Sequence, residues 1–388
     1  MVKRIKTKKR KRKLNVVHCV PVSPHQCGMY ETARELVVAE RKLGINAHLY
    51  DPRPTERRVR GRKQIVNSQD VKCPKCENEF KAEVHAPIPT SVPAWTGDRG
   101  ASICDLHFAL TSDVIVSHSG LPDEDFKECK IPRIHVAHGR PNSSYRIERS
   151  GQTAIYDMYR KMADDPRWKY LITLWPGYGQ YWELVFPRVK EFPSFVDLEK
   201  WCPAETKHDF GDLGGAINVV VTDIWRMDKD PFHVLNAFVL FEKKHPGAKI
   251  HFYGLDGDGR GRDTMINALK ERGICGQVAP MVKNLEEVYR AADMMITPHT
   301  IATRTVREAL ACGLNVVAGL GNPFTPYTAY EEDLGAFAAA MSKSWLDWNT
   351  DKEACIKRNR EMAEVSFDLQ TTANKFIGLF EELTGRAA

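Results

Sequence analysis

The run 298–319, PHTIATRTVREALACGLNVVAG, holds the residues of this chain best suited to chemistry. Val306, Ala309 and Leu310 fall on one stripe of a short helix, and Gly313 stands where that helix would stop. The following LNVVAG is an apolar run of the kind that forms a buried parallel strand. One threonine would cap such a helix. Its start instead carries two arginines, three threonines and Glu308, an excess of polar groups that points to an anionic ligand. A second set of chemically capable residues is Cys73-Pro-Lys-Cys76, which has the CxxC spacing of a zinc knuckle. Cys104 and His107 supply a CxxH pair after a gap of 27 residues, and His85 is a nearer rival for the same site. A redox dithiol is the weaker reading, because the pair does not open a helix within a βαβ unit.

The charge is unevenly placed. The chain of 388 residues has a net charge of +6, yet KRIKTKKRKRK at 3–13 contains nine basic residues and no acid. Without those nine, 47 basic residues face 50 acidic ones, so the body is close to neutral. A second cluster, RPTERRVRGRK at 53–63, has six basic residues against Glu56 alone. Such segments are solvated ends, nucleic-acid arms or contacts with an anionic membrane surface.

The elements that must position these residues read as two series of alternating strands and helices. LNVVHCVPV, a loop, YETARELVVAERKLG and INAHLYDP make a βαβ opening, with Ala33, Leu36, Val37 and Leu43 as the helix stripe and Gly44 as its end. After a basic, proline-rich interval that includes CPKC, the alternation resumes with SDVIVSHSG, IPRIHVAHG and KYLITLWPG. The segment 202–216, CPAETKHDFGDLGGA, has the composition of a linker. A second βα series follows it. Length favours two domains, and the expected division is a basic tail at 1–13, an N-terminal domain at 14–205 with an insertion at about 52–107, and a C-terminal domain at 206–350. Residues 351–388 are expected to form a helical segment that packs back on the N-terminal domain. No apolar run reaches the roughly 18 residues of a transmembrane helix, and 14–22 is too short and polar for a signal h-region. The ten cysteines are therefore expected as reduced thiols or metal ligands, and the chain as cytoplasmic (host cytoplasm if viral).

The second half resembles the C-terminal domain of glycosyltransferase family 4. DKDPFHVLNAF, KIHFYGLDGDG, LEEVYRAADMMITP and VREALACGLNVVAG occur in the family's order. PHQCGMYETARELVVAERKLGINAHLY and PSFVDLEKW resemble its glycine loop with first helix and its turn before the linker. The resemblance implies an α/β GT-B fold, two Rossmann-like βαβ domains facing a cleft; it does not cover the cysteine-bearing interval, where the CxxC spacing by itself points to a zinc-binding insertion in the first domain. It implies a retaining enzyme that uses a nucleotide-sugar donor, a UDP-sugar first among them, without a catalytic metal. The Asp256-Gly257-Asp258 run imitates a metal-binding DxD but reads as turn chemistry.

Carried onto this chain, the resemblance gives Glu308 the ribose hydroxyls and sets the amides near Thr305 and Val306 on the donor diphosphate. Lys229 matches the family's phosphate-binding lysine. The arginine position holds Ile224, and Arg226 is expected to take that role by a shifted loop. Thr300 stands where the family commonly has a second glutamate, so Thr300 or His299 would meet the sugar. Gly28 and Met29 fall in the loop that approaches the donor, Met29 replacing a second glycine. His138 matches a histidine lining the sugar site, and His118 has weaker support. The expected acceptor is a hydroxymethylated pyrimidine in DNA, as for some phage enzymes. The alternatives are an envelope or lipid-linked glycan, with peripheral membrane contact by the tail, and a non-catalytic nucleic-acid-binding protein on a degenerate scaffold.

Overall fold

The computed structural model describes residues 13–20, 28–50, 108–118, 126–138, 158–223, 232–254, 262–280, 282 and 284–387, and the backbone alone at 58–59, 62–63, 68–72, 79–83, 106–107 and 155–157. The chain divides into two units, Met1–Ser194 with Leu369–Ala388, and Phe195–Asp368.

In the first unit, β1 (Asn15–Cys19), α1 (Gly28–Lys42) and β2 (Asn46–Tyr50) form the expected βαβ opening. Two antiparallel pairs follow, β3 (Arg58–Val59) with β4 (Arg62–Lys63), and β5 (Ser68–Lys72) with β6 (Glu79–Glu83). The series continues through α2 (Leu106–Leu110), β7 (Val114–Ser117), β8 (Arg133–Ala137), α3 (Ile155–Asp164), β9 (Trp168–Thr173), α4 (Gly179–Glu183) and β10 (Val189–Glu191). Among the described residues, six strands form one parallel sheet in the order β10-β9-β8-β7-β1-β2. Val16, Val17, Val114, Ile115, Ile134 and Val136 are fully buried, the signature of strands covered on both faces. Ala33, Leu36 and Val37 of α1 are buried as expected. Leu43 lies past the last helical residue, where Gly44 turns at φ +100°, and is exposed.

The second unit contains β11 (Ile217–Val221), α5 (Phe232–Lys244), β12 (Ala248–Tyr253), α6 (Arg262–Glu271), β13 (Cys275–Ala279), α7 (Leu285–Ala291), β14 (Met294–Ile296), α8 (Arg304–Ala311), β15 (Val316–Gly319) and β16 (Tyr327–Ala329). α9 (Leu334–Thr350) and α10 (Lys352–Ser366) complete it, and α11 (Leu369–Thr384) belongs to the first unit. Its parallel sheet runs β13-β12-β11-β14-β15-β16. Alternation along β11 divides the core. Ile217, Val219 and Val221 pack with Phe238, Phe241 and Phe337, whereas Val220 packs with Tyr289, Val306 and Leu310. Gly313 closes α8 at φ +86°, as its position in the sequence predicts.

Two expectations about organisation change. The 351–388 segment is divided: α10 packs on α8 in the second unit, and only α11 packs on α1 in the first. The reason is the break between them, where Asp368 and Val196 form a parallel bridge. The stretch 202–216, read as a linker, is instead fastened to the second unit. Arg290 Nε donates to the Cys202 carbonyl at 2.8 Å, and Thr206 Oγ1 donates to the Glu287 carbonyl at 2.8 Å.

Candidate active site

In a doubly wound sheet, the strand order reverses at one point, and the loops leaving the carboxyl ends of the two strands there diverge to opposite faces. In the second unit these strands are β11 and β14. Asp223 lies two residues beyond β11, and Thr297 and His299 follow β14. They meet. Thr297 Oγ1 donates to Asp223 Oδ2 at 2.7 Å, His299 Nε2 lies 3.1 Å from Oδ1, and Thr305 Oγ1 donates to Oδ1 at 3.4 Å. Asp223 is 4% exposed, so hydrogen bonds such as these replace the bulk water its carboxyl group has lost.

The loop before α8 is pinned to this cluster. Gly319 N and Asn322 Nδ2 donate to the His299 carbonyl at 3.1 and 3.3 Å. Gly319 allows the approach, since a Cβ there would stand 2.3 Å from the Pro298 oxygen. Thr300 is half-buried beside it, with its Cγ2 3.1 Å from that same point. Thr303 takes the cap position of α8, but its side chain makes no capping bond; its Oγ1 lies 3.1 Å from Thr305 Oγ1. The Thr303 side chain thus leaves the amides of Thr305 and Val306 uncapped, at a helix start of the kind that can receive an anion. Glu308 sits one turn further in. Arg304 Nε donates to its Oε1 at 2.7 Å, and the Glu308 side chain is 5% exposed. The helix start is half-buried at Arg304 and Thr305 and buried at Arg307 and Glu308. Beneath it, Tyr289 donates to Thr222 Oγ1 at 2.9 Å; burial, with Glu308 nearby, holds its phenol well above the usual range.

In the first unit the strand order reverses between β1 and β7, and the polar residues there are histidines. His138 follows β8 and His118 follows β7, and His118 Nδ1 lies 2.8 Å from His138 Nε2. His118 Nε2 lies 2.9 Å from His18 Nδ1 on β1, and His18 Nε2 lies 3.0 Å from Glu40 Oε2 on α1. Trp175 Nε1 donates to the His138 carbonyl at 2.9 Å and fixes the backbone there. Burial, then the neighbouring His138, His18 and His135, keep His118 well below the usual imidazole range.

The structure brings Thr305 and His299 together on Asp223, sets Val306 and Glu308 on the same helix as Thr305, and joins His138 to His118. Gly28 and Met29 form the first turn of α1 rather than a loop; Thr32 Oγ1 donates back to the Gly28 carbonyl at 2.8 Å. Lys229, Arg226, Cys73, Cys76, Cys104 and His85 lie outside the described residues, and His107 is described only as backbone within α2. Among the described residues no group of three or more His, Cys, Asp or Glu side chains is placed to hold a metal ion. Sequence reasoning missed Asp223, Thr297, Thr303, His18 and Glu40. Asp223 and Thr297 had a signal, as polar residues directly after apolar parallel strands. Glu40 had none, because a glutamate on an amphipathic helix reads as solvent-facing.

No family model matches the chain, and no curated protein matches it. Solved structures do. Sucrose-phosphate synthase from Thermosynechococcus elongatus superposes with a TM-score of 0.66 at 14% identity, over 96% of this chain and 100% of that one. The catalytic domain of starch synthase IV from Arabidopsis thaliana, bound to ADP and acarbose, gives 0.64 at 12% identity, over 97% and 100%. WaaG, a glycosyltransferase involved in lipopolysaccharide biosynthesis, gives 0.60 at 12% identity, over 96% and 100%. Together with the two parallel sheets, these likenesses establish that the chain has the two-domain α/β fold of the GT-B glycosyltransferases.

Proposed function

We propose that the chain is a retaining glycosyltransferase that moves a sugar from a nucleoside-diphosphate sugar, a UDP-sugar first, to an acceptor hydroxyl. The observation that carries this reading is the start of α8, where uncapped first-turn amides stand beside Asp223, Thr297 and His299 at the strand-order reversal of a GT-B fold. The amides of Thr305 and Val306 receive the diphosphate. Glu308 accepts from the ribose hydroxyls while Arg304 Nε pairs with the same carboxylate. Thr300 and His299 meet the sugar where the related enzymes use a glutamate. Lys229 and Arg226 offset the charge that grows on the β-phosphate as the glycosidic bond breaks, an effect that counts only in the transition state. The resemblance further assigns His138 to the sugar and Gly28 and Met29 to the donor.

The acceptor we infer is a hydroxymethylated pyrimidine in DNA, on the strength of the basic segments 3–13 and 53–63. A second reading, an envelope or lipid-linked glycan, is favoured by the likeness to WaaG. A structural zinc on Cys73, Cys76, Cys104 and His107 is supported by ligand spacing and by the antiparallel β5–β6 pair that brackets the CxxC in sequence. About one equivalent of zinc, lost in Cys73→Ser, is the expected elemental analysis of fresh protein. The deciding experiment measures transfer from a panel of nucleotide-sugars to hydroxymethylcytosine DNA, unmodified DNA and a lipid acceptor. Release of nucleoside diphosphate with sugar on the modified DNA alone supports the first acceptor. Sugar on the lipid alone supports the second, and no release with any donor overturns the enzymatic reading.

A further inference from the structure

The segment 206–216 lies as a strap against β12 and β13, at one edge of the second unit's sheet, and a buried histidine fastens it. His251 of β12 is 0% exposed. Its ring lies beside Phe210 of the strap, with centroids 4.0 Å apart and planes at 36°. Gly276 on β13 leaves the room, since a Cβ there would run into the imidazole. An apolar side chain would fill this space without burying a polar ring, so packing alone does not account for the choice.

A backbone amide fixes the proton order of this ring, because it can only donate. Gln277 N donates to Nδ1 at 3.0 Å, so Nδ1 carries a lone pair and Nε2 the proton. Nε2 then donates to Asn218 Oδ1 at 3.1 Å, the oxygen that also accepts from the Gly215 amide of the strap at 2.9 Å. A neutral His251 thus holds the strap twice, through Phe210 and through Asn218. Burial, then His208 and Lys249, push it down to about 4. Acid upsets the arrangement. A proton on Nδ1 would face the Gln277 N–H, donor against donor, with His208 and Lys249 adding like charge. Burial raises Tyr253 and Cys275, so both stay protonated in acid. Burial lowers His208 against the pull of Asp209 and Glu287. Tyr253 gives its hydroxyl proton to Gln277 Oε1 and accepts from His208 Nε2, a contact that a charged His208 keeps. At Lys207 the strap has a second tie, since Glu287 Oε2 accepts from Lys207 N and from Thr206 Oγ1, each at 2.9 Å. Those bonds hold the Glu287 carboxyl below its usual range, so this tie persists in mild acid.

We propose that His251 is an acid-sensitive latch: protonation of its Nδ1 displaces the Gln277 amide, frees Phe210 and Gly215, and opens 208–215 as a flap. Lys207 on Glu287 and the Ala216 amide on the Gly247 carbonyl, at 2.9 Å, remain as its fixed points. Acid then uncovers the apolar face of Phe210 without unfolding the sheet behind it. The latch is independent of the glycosyltransferase reading. Its sign follows from linkage. The closed form keeps the ring neutral down to about 4, while a ring exposed by the open flap takes up its proton near 6.5. The opening equilibrium should therefore rise about tenfold per pH unit from 6.5 down to about 4, and level off below it.

The test is hydrogen exchange of the full-length protein, read by mass spectrometry and corrected for the intrinsic effect of pH. Peptides covering 208–215 and Gln277 should lose protection with that slope, while peptides from β11 and β14 keep theirs. Nitrogen-15 NMR of the wild type should place the His251 proton on Nε2 at neutral pH. His251→Phe keeps a ring beside Phe210 that cannot titrate, so its exchange at 208–215 should not vary with pH in this window. Protection at 208–215 that stays constant over the same window in the wild type overturns the proposal. A loss shared equally by β11 and β14 also overturns it, since that is global unfolding. An unchanged slope in a folded His251→Phe removes His251 as the latch. Should that variant not fold, a wild-type His251 that carries its proton on Nδ1 at neutral pH overturns the proposal by itself.

Discussion

At the scale of single residues, the polar start of α8 carries an ion pair beside its candidate ligand-binding groups. The ion pair of Arg304 with Glu308 forms, yet the glutamate is buried instead of lying on a solvated face. A carboxylate can accept from several donors at once, hydroxyls among them. Glu308→Ala and Lys229→Ala are each expected to lose about 1–3 kcal/mol of charged hydrogen bonding to the donor, read as Kd and kcat/KM for the nucleotide-sugar. Wild-type values in both variants would remove these residues from the site. Two other histidines report on stability. Burial pushes His135 down to about 3, and burial, then His208 and Lys249, push His251 down to about 4. The folded state therefore favours the neutral rings, while the unfolded chain takes up protons near 6.5. Their contribution is complete above pH 6.5 and is lost as pH falls toward 4 and then 3. A plot of Tm against pH should drop across that window, and less steeply in His135→Phe.

Among elements, the loop between β14 and α8 depends on a close backbone approach. Asp223 lies in the loop after β11, His299 in the loop after β14 and Thr305 on α8, and the packing of 298–300 against the end of β15 helps to hold them together. Gly319→Ala sets a methyl 2.3 Å from a main-chain oxygen, which a rotamer change cannot relieve. A loss of about 1–3 kcal/mol in stability is expected from such overpacking, together with weaker nucleotide binding as the loop moves. Gly378→Ala in α11 is the control. Nothing lies within 4 Å of its added Cβ, and removing a helical glycine should raise stability by about 1 kcal/mol at most. Denaturant midpoints of the two variants should move in opposite directions.

For the whole molecule, charge distribution separates the acceptors. If DNA is bound, segments 3–13 and 53–63 displace counterions from its phosphates, and the logarithm of affinity should fall with that of salt by about 0.9 per contact. Deleting 3–13 should flatten this slope and raise KM for DNA while leaving nucleotide-sugar affinity unchanged. With a lipid-linked acceptor, the same deletion should weaken binding to anionic vesicles and leave any salt dependence on DNA as it was.

The sequence by itself determined the alternation of strands and helices, the ends of α1 and α8 at Gly44 and Gly313, and the GT-B fold that the ordered motifs imply. These follow from local periodicity and turn chemistry, which neighbouring residues carry among themselves. The division of 351–388 between the units, and the fastening of 202–216, were decided by tertiary contacts between residues far apart in the chain. So were the two polar clusters. Asp223 meets His299 across 76 positions and His18 meets His118 across 100, because parallel strands adjacent in the sheet end side by side at any sequence separation. The identity of each such residue was legible; its partner was a property of strand order, which no local pattern encodes.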